Sequence, residues 1–243
     1  MEPSGQVAGK MTVSPTLAHL DALGFFRSLS PQEKAQLAAV CKVAVRERGE
    51  SLFRQGDPPT HFVFLALGFA KLVRSAPGRS AIVAIAGPGE PLGVVAAFES
   101  RPYPASAVAL SPATTVEVPE RPFLSAVDRH PELVRLILRV SARRQFETAR
   151  RIADLAGPVE ERMARVLLCL AERHGRIEGG RTRLLLPLHR QDLAELTGTT
   201  VETAIRVMSR WAKEGVVTTE EDGFTFHRPE VLREVGRGEP SED

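Results

Sequence analysis

Cysteine is nearly missing from this sequence, and aromatic residues are scarce. The 243 residues include two cysteines, Cys41 and Cys169, with one tryptophan and one tyrosine. Two thiolates cannot provide the four ligands of a conventional iron–sulfur cluster or of a four-cysteine zinc site. Because both cysteines lie among apolar residues, we expect them to be buried, unreactive thiols.

Long apolar runs and a strong net charge are also lacking. No stretch approaches the roughly 18 apolar residues that cross a bilayer, and residues 1–11 lack the basic and apolar segments of a secretory signal. We therefore expect a cytoplasmic protein without membrane contact. Residues 158–243 hold 13 Lys and Arg against 16 Asp and Glu, so this part should have weak nonspecific affinity for nucleic acid.

Residues 43–119 consist of short apolar runs separated by turn residues. Glycine and proline mark turns at residues 55–58, 76–78 and 87–89, at intervals close to the length of a strand. This spacing predicts an antiparallel β-roll or barrel.

Residues 191–213 have the pattern of a helix, a glycine turn and a second helix. Gly198 interrupts the first helical pattern, and Thr199 with Glu202 has capping-box spacing, which predicts a new helix from Thr200. The apolar positions that form one face of this helix are Ala204, Val207, Met208 and Trp211. Polar and basic residues on the opposite face fit the major groove of DNA.

This segment resembles the recognition helix of the cAMP receptor protein / fumarate-nitrate regulator family of bacterial transcription factors. The resemblance rests on Leu-Thr-Gly at 196–198, Thr-Val-Glu-Thr at 200–203 and Arg206. Similar motifs of the family's roll occur at residues 53–57, 67–68 and 89–93. The likeness covers about residues 20–235.

The resemblance implies that Glu202 and Arg206 bind base edges in a TTGA-type half-site. Arginine can donate to guanine O6 and N7, and glutamate can accept from cytosine N4. The residues expected at the DNA backbone are Thr200, Thr203, Ser209 and Arg210. Ile205 stands where fumarate-nitrate-type members often have serine, so the outer bases stay open. A surface ion pair is the alternative interpretation of Glu202 and Arg206.

The order of motifs implies an α+β protein with an N-terminal antiparallel β-roll (a cyclic-nucleotide-binding-like jelly roll), a long dimerisation helix and a C-terminal winged helix-turn-helix. We expect a flexible leader at 1–16, the effector-sensing roll at 17–125, the dimerisation helix at 126–157, the DNA-binding domain at 158–237 and an acidic tail at 238–243. In the family the helix matching residues 132–155 pairs with its twin in a parallel dimer. An ordinary core helix is the alternative.

The pocket positions differ from those of cyclic-nucleotide binders in the family. Those members place Glu after the glycine of the pocket strand and an Arg-Ser pair about ten residues later. The corresponding tentative positions here are Gly93, Val94, Pro104, Ala105, Glu147 and Thr148. Without a cation, a cyclic phosphate would be buried with no counter-charge. We therefore expect the roll not to bind cAMP or cGMP.

Several other signals stay open. Residues 103–108 resemble the fumarate-nitrate and nitric-oxide-responsive branches, but the oxygen sensors among them need an N-terminal cysteine cluster, which is lacking. Haem is one alternative, with His19, His61 or His130 as axial ligand. An organic anion bound by Arg143 or Arg150 is another, and the protein could also act without a ligand.

The leading hypothesis is a homodimeric, sequence-specific transcription regulator that binds double-stranded DNA and contacts RNA polymerase. An enzyme of the cupin type would need several histidines and a carboxylate at one site, whereas residues 50–125 contain only His61. A sensor or scaffold of the same fold with weak or lost DNA binding is the other alternative, favoured by the acidic C-terminal part and by Ile205.

Overall fold

The computed structural model describes residues 15–238. The expected leader and tail lie almost wholly outside the described residues. Helix α1 spans Pro15–Ala22, so residues 15 and 16 belong to a helix and the predicted leader was too long. Helix α2 (Pro31–Ala38) begins after Ser30, whose hydroxyl accepts the N–H of Glu33 while the Glu33 carboxylate accepts the N–H of Ser30.

Antiparallel strands form the roll, as the spacing of turns predicted. They are β1 (Lys42–Arg46), β2 (Ser51–Phe53), β3 (His61–Leu67), β4 (Ala70–Ala76), β5 (Arg79–Ala86), β6 (Pro91–Leu92), β7 (Ser106–Ala109) and β8 (Ala113–Pro119), with helix α3 (Val94–Phe98) after β6. Two sheets have the orders β1-β8-β3-β6 and β2-β7-β4-β5. The β3–β4 turn requires Gly68, which has φ +79° and where a Cβ would lie 2.3 Å from the carbonyl oxygen of Pro112.

Five phenylalanine rings form a cluster on one side of the roll. Phe25 and Phe26 lie in a 3-10 turn (Gly24–Phe26) and pack against Phe64 and against Phe123 of helix α4 (Glu120–Arg129). The rings of Phe62 and Phe123 have centroids 4.0 Å apart. Burying each ring contributes about 2–3 kcal/mol, so this cluster holds α4 and the N-terminal helices on the sheet.

The long helix α5 spans Pro131–Asp154 and follows a break at His130. The predicted start of the dimerisation helix at residue 126 was wrong, because residues 126–129 belong to α4. Pro131 has no N–H with which to continue α4 and is well placed at the first position of a new helix. Leu133 and Ile137 pack on the roll, while much of the apolar stripe that follows is exposed.

The C-terminal part contains a four-stranded sheet and four helices among the described residues. They are α6 (Val159–His174), β9 (Arg176–Glu178), β10 (Arg181–Leu184), α7 (Arg190–Thr197), α8 (Val201–Lys213), β11 (Val217–Glu220), β12 (Gly223–Phe226) and α9 (Pro229–Arg237). The sheet order is β11-β12-β10-β9. The β11–β12 hairpin is the predicted wing, whereas β9 and α9 were not predicted.

The C-terminal part packs directly on the roll. Helix α7 lies against β5, and Nζ of Lys71 lies 2.6 Å from Oδ1 of Asp192. One cluster of buried apolar side chains continues from Ile82 of β5 through Leu193 to Trp211 of α8. Within residues 15–238, no helix has both the length and the apolar character needed to cross a membrane.

Candidate nucleic-acid interface

Helix α8 begins after a tight turn that its neighbouring residues define. Gly198 ends α7 in the left-handed conformation, with φ +63°. The N–H of Thr199 still donates to a carbonyl of α7, so Thr199 belongs to the turn. The N-cap is Thr200, whose hydroxyl accepts the N–H of Thr203 at 3.2 Å. The helix therefore begins at Val201, one residue later than predicted.

The buried face predicted for α8 is confirmed. Its residues are Ala204, Val207, Met208 and Trp211. The outward face carries exposed side chains of Glu202, Arg206, Ser209 and Lys213, with Ile205 46% exposed beside them. The helix thus presents acceptors, donors and one branched apolar group to solvent.

Glu202 and Arg206 do not pair with each other among the residues that the structure describes. Its own backbone N–H, and after it the hydroxyl of Thr200, lower the pKa of the Glu202 carboxyl. Within the same described range, the guanidinium of Arg206 has no hydrogen-bond or ion-pair partner. It is therefore free to donate to two acceptors of a ligand.

Arg210 has different surroundings. Its Nη2 atom pairs with Oε1 of Glu160 on the first turn of α6, and its Nε atom lies 3.9 Å from Oε1 of Glu214. The same oxygen of Glu160 accepts the indole N–H of Trp211 at 3.0 Å. A phosphate contact by Arg210, as the sequence predicts, must compete with Glu160.

Arg162 holds the segment between α5 and α6 and the turn before α8 together. Its guanidinium donates to the carbonyl oxygens of Thr197 and Gly198, at 2.9 and 3.4 Å, and to those of Leu155 and Gly157. Carbonyl groups at a helix end have no partner within the helix. The Arg162 side chain thus donates hydrogen bonds to carbonyl groups at the ends of both α5 and α7.

Arg151 of α5 connects the long helix to both neighbouring parts. Its guanidinium donates to the carbonyl oxygens of Ile82 and Val83 in β5, at 2.7 and 2.8 Å. It also donates to the carbonyl oxygen of Leu196 in α7 at 2.6 Å. The roll, the long helix and the helix-turn-helix therefore meet at this residue.

A cluster of charges around Glu90 also joins the three parts. Oε1 of Glu90, in the turn before β6, lies 2.6 Å from Nη2 of Arg173 in α6 and 3.1 Å from Nη2 of Arg143 in α5. Its other oxygen lies 3.6 Å from Nη2 of Arg144. Glu147 pairs with Arg173 at 3.2 Å and with Arg143 at 4.0 Å. We call these five residues the Glu90 cluster.

The roll positions tentatively assigned to an effector are closely packed. Gly93 is the left-handed N-cap of α3, with φ +71°, and a Cβ there would lie 2.5 Å from the ring of Tyr103. Val94 and Ala105 are buried, and Pro104 is exposed. These four positions and the neighbouring ring of Tyr103 bring no charged side chain to this part of the roll.

The long-helix positions of the tentative pocket have separate surroundings. Glu147 belongs to the Glu90 cluster. Thr148 lines a cavity of about 220 Å³ between β5, α5 and α7, together with Arg151 and Leu196. Neither Gly93 nor Val94 lines this cavity. No pattern in the sequence indicates this cavity, because it depends on how α7 packs against β5.

The candidate haem histidines have polar neighbours. Nε2 of His130 lies 2.7 Å from Oε1 of Glu33, and Nδ1 of the exposed His61 lies 2.7 Å from Oγ1 of Thr60. His19 lies on α1. In the described part of the chain, no group of three or more His, Cys, Asp or Glu side chains is arranged to hold a metal ion.

Both cysteines are half-buried and unpaired with each other. Burial raises the pKa of Cys41 to about 12 and also raises the pKa of Cys169. Because the thiolate is the reactive form, these shifts lower the reactivity of both thiols, although both are half-buried and not fully buried as predicted.

Comparisons with known proteins agree with this architecture. Residues 45–130 match the family described as the cyclic nucleotide-binding domain, and residues 161–235 match the Crp-like helix-turn-helix domain. The chain is 31% identical over 199 residues to the CRP-like cAMP-activated global transcriptional regulator of Mycobacterium tuberculosis, covering 81% of this chain and 89% of that protein. It is 30% identical over 184 residues to the nitrogen fixation regulation protein FixK of Bradyrhizobium diazoefficiens, covering 74% of this chain and 76% of FixK.

A solved structure shows the same fold. FixK2 from Bradyrhizobium japonicum superposes with a TM-score of 0.70 at 19% identity, covering 84% of this chain and 100% of that one. The relatives are transcription regulators, which are not enzymes. The chain belongs to the cAMP receptor protein / fumarate-nitrate regulator (CRP/FNR) family and is a DNA-binding transcription regulator.

Proposed function

We propose that the regulator binds as a homodimer to a two-fold operator made of TTGA-type half-sites about 10 bp apart. The outward face of α8 carries this proposal. Arg206 and Glu202 lie side by side there without pairing with each other, in the part of the chain that the structure describes. Exposed donors and acceptors that do not pair with each other are what base edges in a major groove require.

The apolar stripe of α5 supports a dimer through residues 132–155. The exposed fractions are 62% for Leu138, 73% for Phe146 and 65% for Ile152. Exposed apolar side chains repeated along one helix favour pairing with a second copy in a parallel arrangement. Two copies of α8 related by a two-fold axis would then match a palindromic operator.

Different residues at α8 contact the bases and the phosphate backbone. Arg206 donates to guanine O6 and N7, and Glu202 accepts from cytosine N4. Thr200, Thr203 and Ser209 contact the phosphate backbone and fix the register. Arg210 reaches a phosphate only by leaving the carboxylate of Glu160.

The signal sensed in the roll is, in our proposal, not a cyclic nucleotide. The Mycobacterium tuberculosis relative is described as cAMP-activated, which makes cAMP the second candidate. In this chain Val94 and Pro104 leave the matching positions without charge, and the ring of Tyr103 packs on Gly93. A buried cyclic phosphate would lack the counter-charge that such a site needs.

His61 and His130 do not fit a haem site. A haem pocket needs an apolar cavity beside an imidazole nitrogen that is free to bind iron. His130 is bonded to Glu33, and His61 is exposed and bonded to Thr60. An organic signal at the roll, or regulation by the amount of protein, agrees better with these contacts. We further propose that the protein acts in the cytoplasm and contacts RNA polymerase at promoters.

Fluorescence anisotropy of the purified protein on a TTGAC-N4-GTCAA duplex tests the proposal. A scrambled duplex of equal length is the control, and both titrations are repeated with cAMP. We expect tighter binding to the operator than to the control, with no effect of cAMP. Equal affinity for both duplexes would reject the TTGA operator, and an increase on adding cAMP would reject the proposed signal class.

A further inference from the structure

Glu160 occupies an unusual position beside the recognition helix. It lies on the first turn of α6, and its Oε1 atom accepts both the Arg210 guanidinium and the Trp211 indole N–H. Trp211 belongs to the buried face of α8, whereas Arg210 lies at the edge of its exposed face. One carboxylate thus contacts both sides of the helix that enters DNA.

The contact lies on the flank of α8 that is next to Arg206. Residues four apart project side by side on a helix, so Arg210 stands one turn beyond Arg206. The first turn of α6 adjoins this flank, and a helix N-terminus normally attracts phosphate. Here that turn carries Glu160 and Glu161, and Glu161 is paired with Arg165 at 3.3 Å.

We propose that Glu160 is a positioning residue that increases sequence specificity by holding Arg210 away from the phosphate backbone. A guanidinium on a phosphate adds affinity for every DNA sequence alike. Holding it on Glu160 removes this contribution and leaves the base contact of Arg206 intact. The inference rests on the proposed entry of α8 into the major groove.

A single substitution separates the charge of Glu160 from its structural contact. In Glu160→Gln, the amide oxygen still accepts the Trp211 N–H, while the charge that holds Arg210 is lost. The chain has one tryptophan, so its fluorescence spectrum reports directly on this contact. An unchanged spectrum and an unchanged urea midpoint show that α8 keeps its place.

The measured quantity is the salt dependence of binding to a scrambled duplex. Each phosphate contact adds ~0.9 to the slope of log K against log salt. With one released guanidinium per protomer, the slope of Glu160→Gln should be steeper than wild type by about 1.8. Its scrambled-duplex affinity near 50 mM salt should rise several-fold, so the ratio of operator to scrambled affinity should fall.

Two further variants are the controls. Glu214→Gln removes the carboxylate that lies 3.9 Å from Arg210 on the same helix, and it should leave the slope unchanged. Arg210→Ala alone should have the wild-type slope. Combined with Glu160→Gln, it should abolish the steeper slope that Glu160→Gln causes. This cancellation distinguishes a released guanidinium from the mere loss of a negative charge.

The outcomes are decisive for the inference. The inference is overturned if Glu160→Gln has the wild-type slope. It is also overturned if Glu160→Gln steepens the slope equally in the Arg210→Ala background. If Glu160→Gln does not fold, Arg210→Ala alone still tests the inference, since a slope shallower by about 1.8 would show that wild-type Arg210 already contacts phosphate. If wild type and all variants fail to bind both duplexes, the proposed entry of α8 into the DNA groove is rejected.

Discussion

The Nη2 atom of Arg173 lies 2.6 Å from Oε1 of Glu90 and thereby joins the end of α6 to the turn before β6 in the roll. The first turn of the same helix holds α8 through Glu160. Helix α6 therefore connects the roll to the recognition helix at its two ends.

Replacing Glu90 by Gln should lower the free energy of unfolding by about 3 kcal/mol, because the largely buried guanidinium of Arg173 would lose the nearer of its two carboxylate partners and keep only Glu147. The side chain of Arg173 is 14% exposed, so water cannot replace the carboxylate. Urea unfolding at neutral pH measures the change. Arg143→Gln is the matched control, since Arg143 contacts the same oxygen but is 43% exposed. It should cost less than about 1 kcal/mol, and equal losses in both variants would contradict the importance of burial.

His174 should make the stability of the protein depend on pH. Its ring packs against Gly87 and the edge of Phe69, and burial, with the nearby charges of Arg173 and Arg143 and despite Glu90, lowers its pKa from 6.5 to about 4. The folded state therefore favours the neutral ring.

Its contribution is fully present above pH 6.5 and is lost as the pH falls through the folded-state value of about 4. Between pH 7 and pH 4.5, wild type should lose about 2 kcal/mol more than His174→Asn. Comparing the two proteins by urea unfolding at each pH cancels the titration of carboxylates. Parallel stability curves would show that His174 is protonated without cost.

Local patterns in the sequence predicted much of the fold because they arise within short segments. The strands between the glycine and proline turns and the apolar positions of α8 needed no knowledge of distant contacts. Pro131 marks the break before α5, yet the helix boundary predicted at residue 126 was misplaced. Hydrophobic periodicity alone cannot show whether a given helical turn belongs to α4 or to α5.

The surroundings of the site residues could not be predicted, because they depend on how distant segments pack. Glu90 and Arg173 meet only because α7 lies against β5 and brings α6 beside the roll. Glu160 and Arg210 are 50 positions apart in the sequence and pair through the fold of the C-terminal part. Neither pair has a residue spacing from which its contact could be predicted.

The exposed stripe of α5 predicts that a charge at its centre will prevent dimerisation. Leu138→Glu would place a carboxylate among apolar side chains at the interface between two helices, where it has no partner. Light scattering after size exclusion should give the monomer mass and a large loss of operator affinity. Arg139→Glu, one position along the same exposed turn, is the control and should stay dimeric. A dimeric Leu138→Glu protein would place the interface elsewhere.

Arg206→Ala should lose about 1–3 kcal/mol of operator binding and little scrambled-duplex binding, because a base contact contributes only on the correct sequence. Lys213→Ala provides the contrast, since Lys213 is exposed on the same helix and should affect both duplexes alike. Anisotropy on the two duplexes measures each loss. Equal losses for both duplexes in Arg206→Ala would show that this arginine contacts the backbone.

Ile205 should contact the methyl group of a thymine among the outer bases of the half-site. Its side chain is 46% exposed on the outward face of α8 and has no atom that donates or accepts a hydrogen bond. An aliphatic group at this position can discriminate bases only by apolar contact, and the C5-methyl of thymine is the apolar group in the major groove.

Replacing each thymine of the operator by uracil removes that methyl group without changing base pairing. Removing one buried methyl costs about 0.8 kcal/mol, or roughly fourfold in affinity per half-site. Wild type should bind one uracil-containing operator more weakly by this amount, and the position of that uracil identifies the base that Ile205 contacts. Ile205→Ala should bind the thymine and uracil operators equally. If it retains the full preference for thymine, another side chain makes the methyl contact.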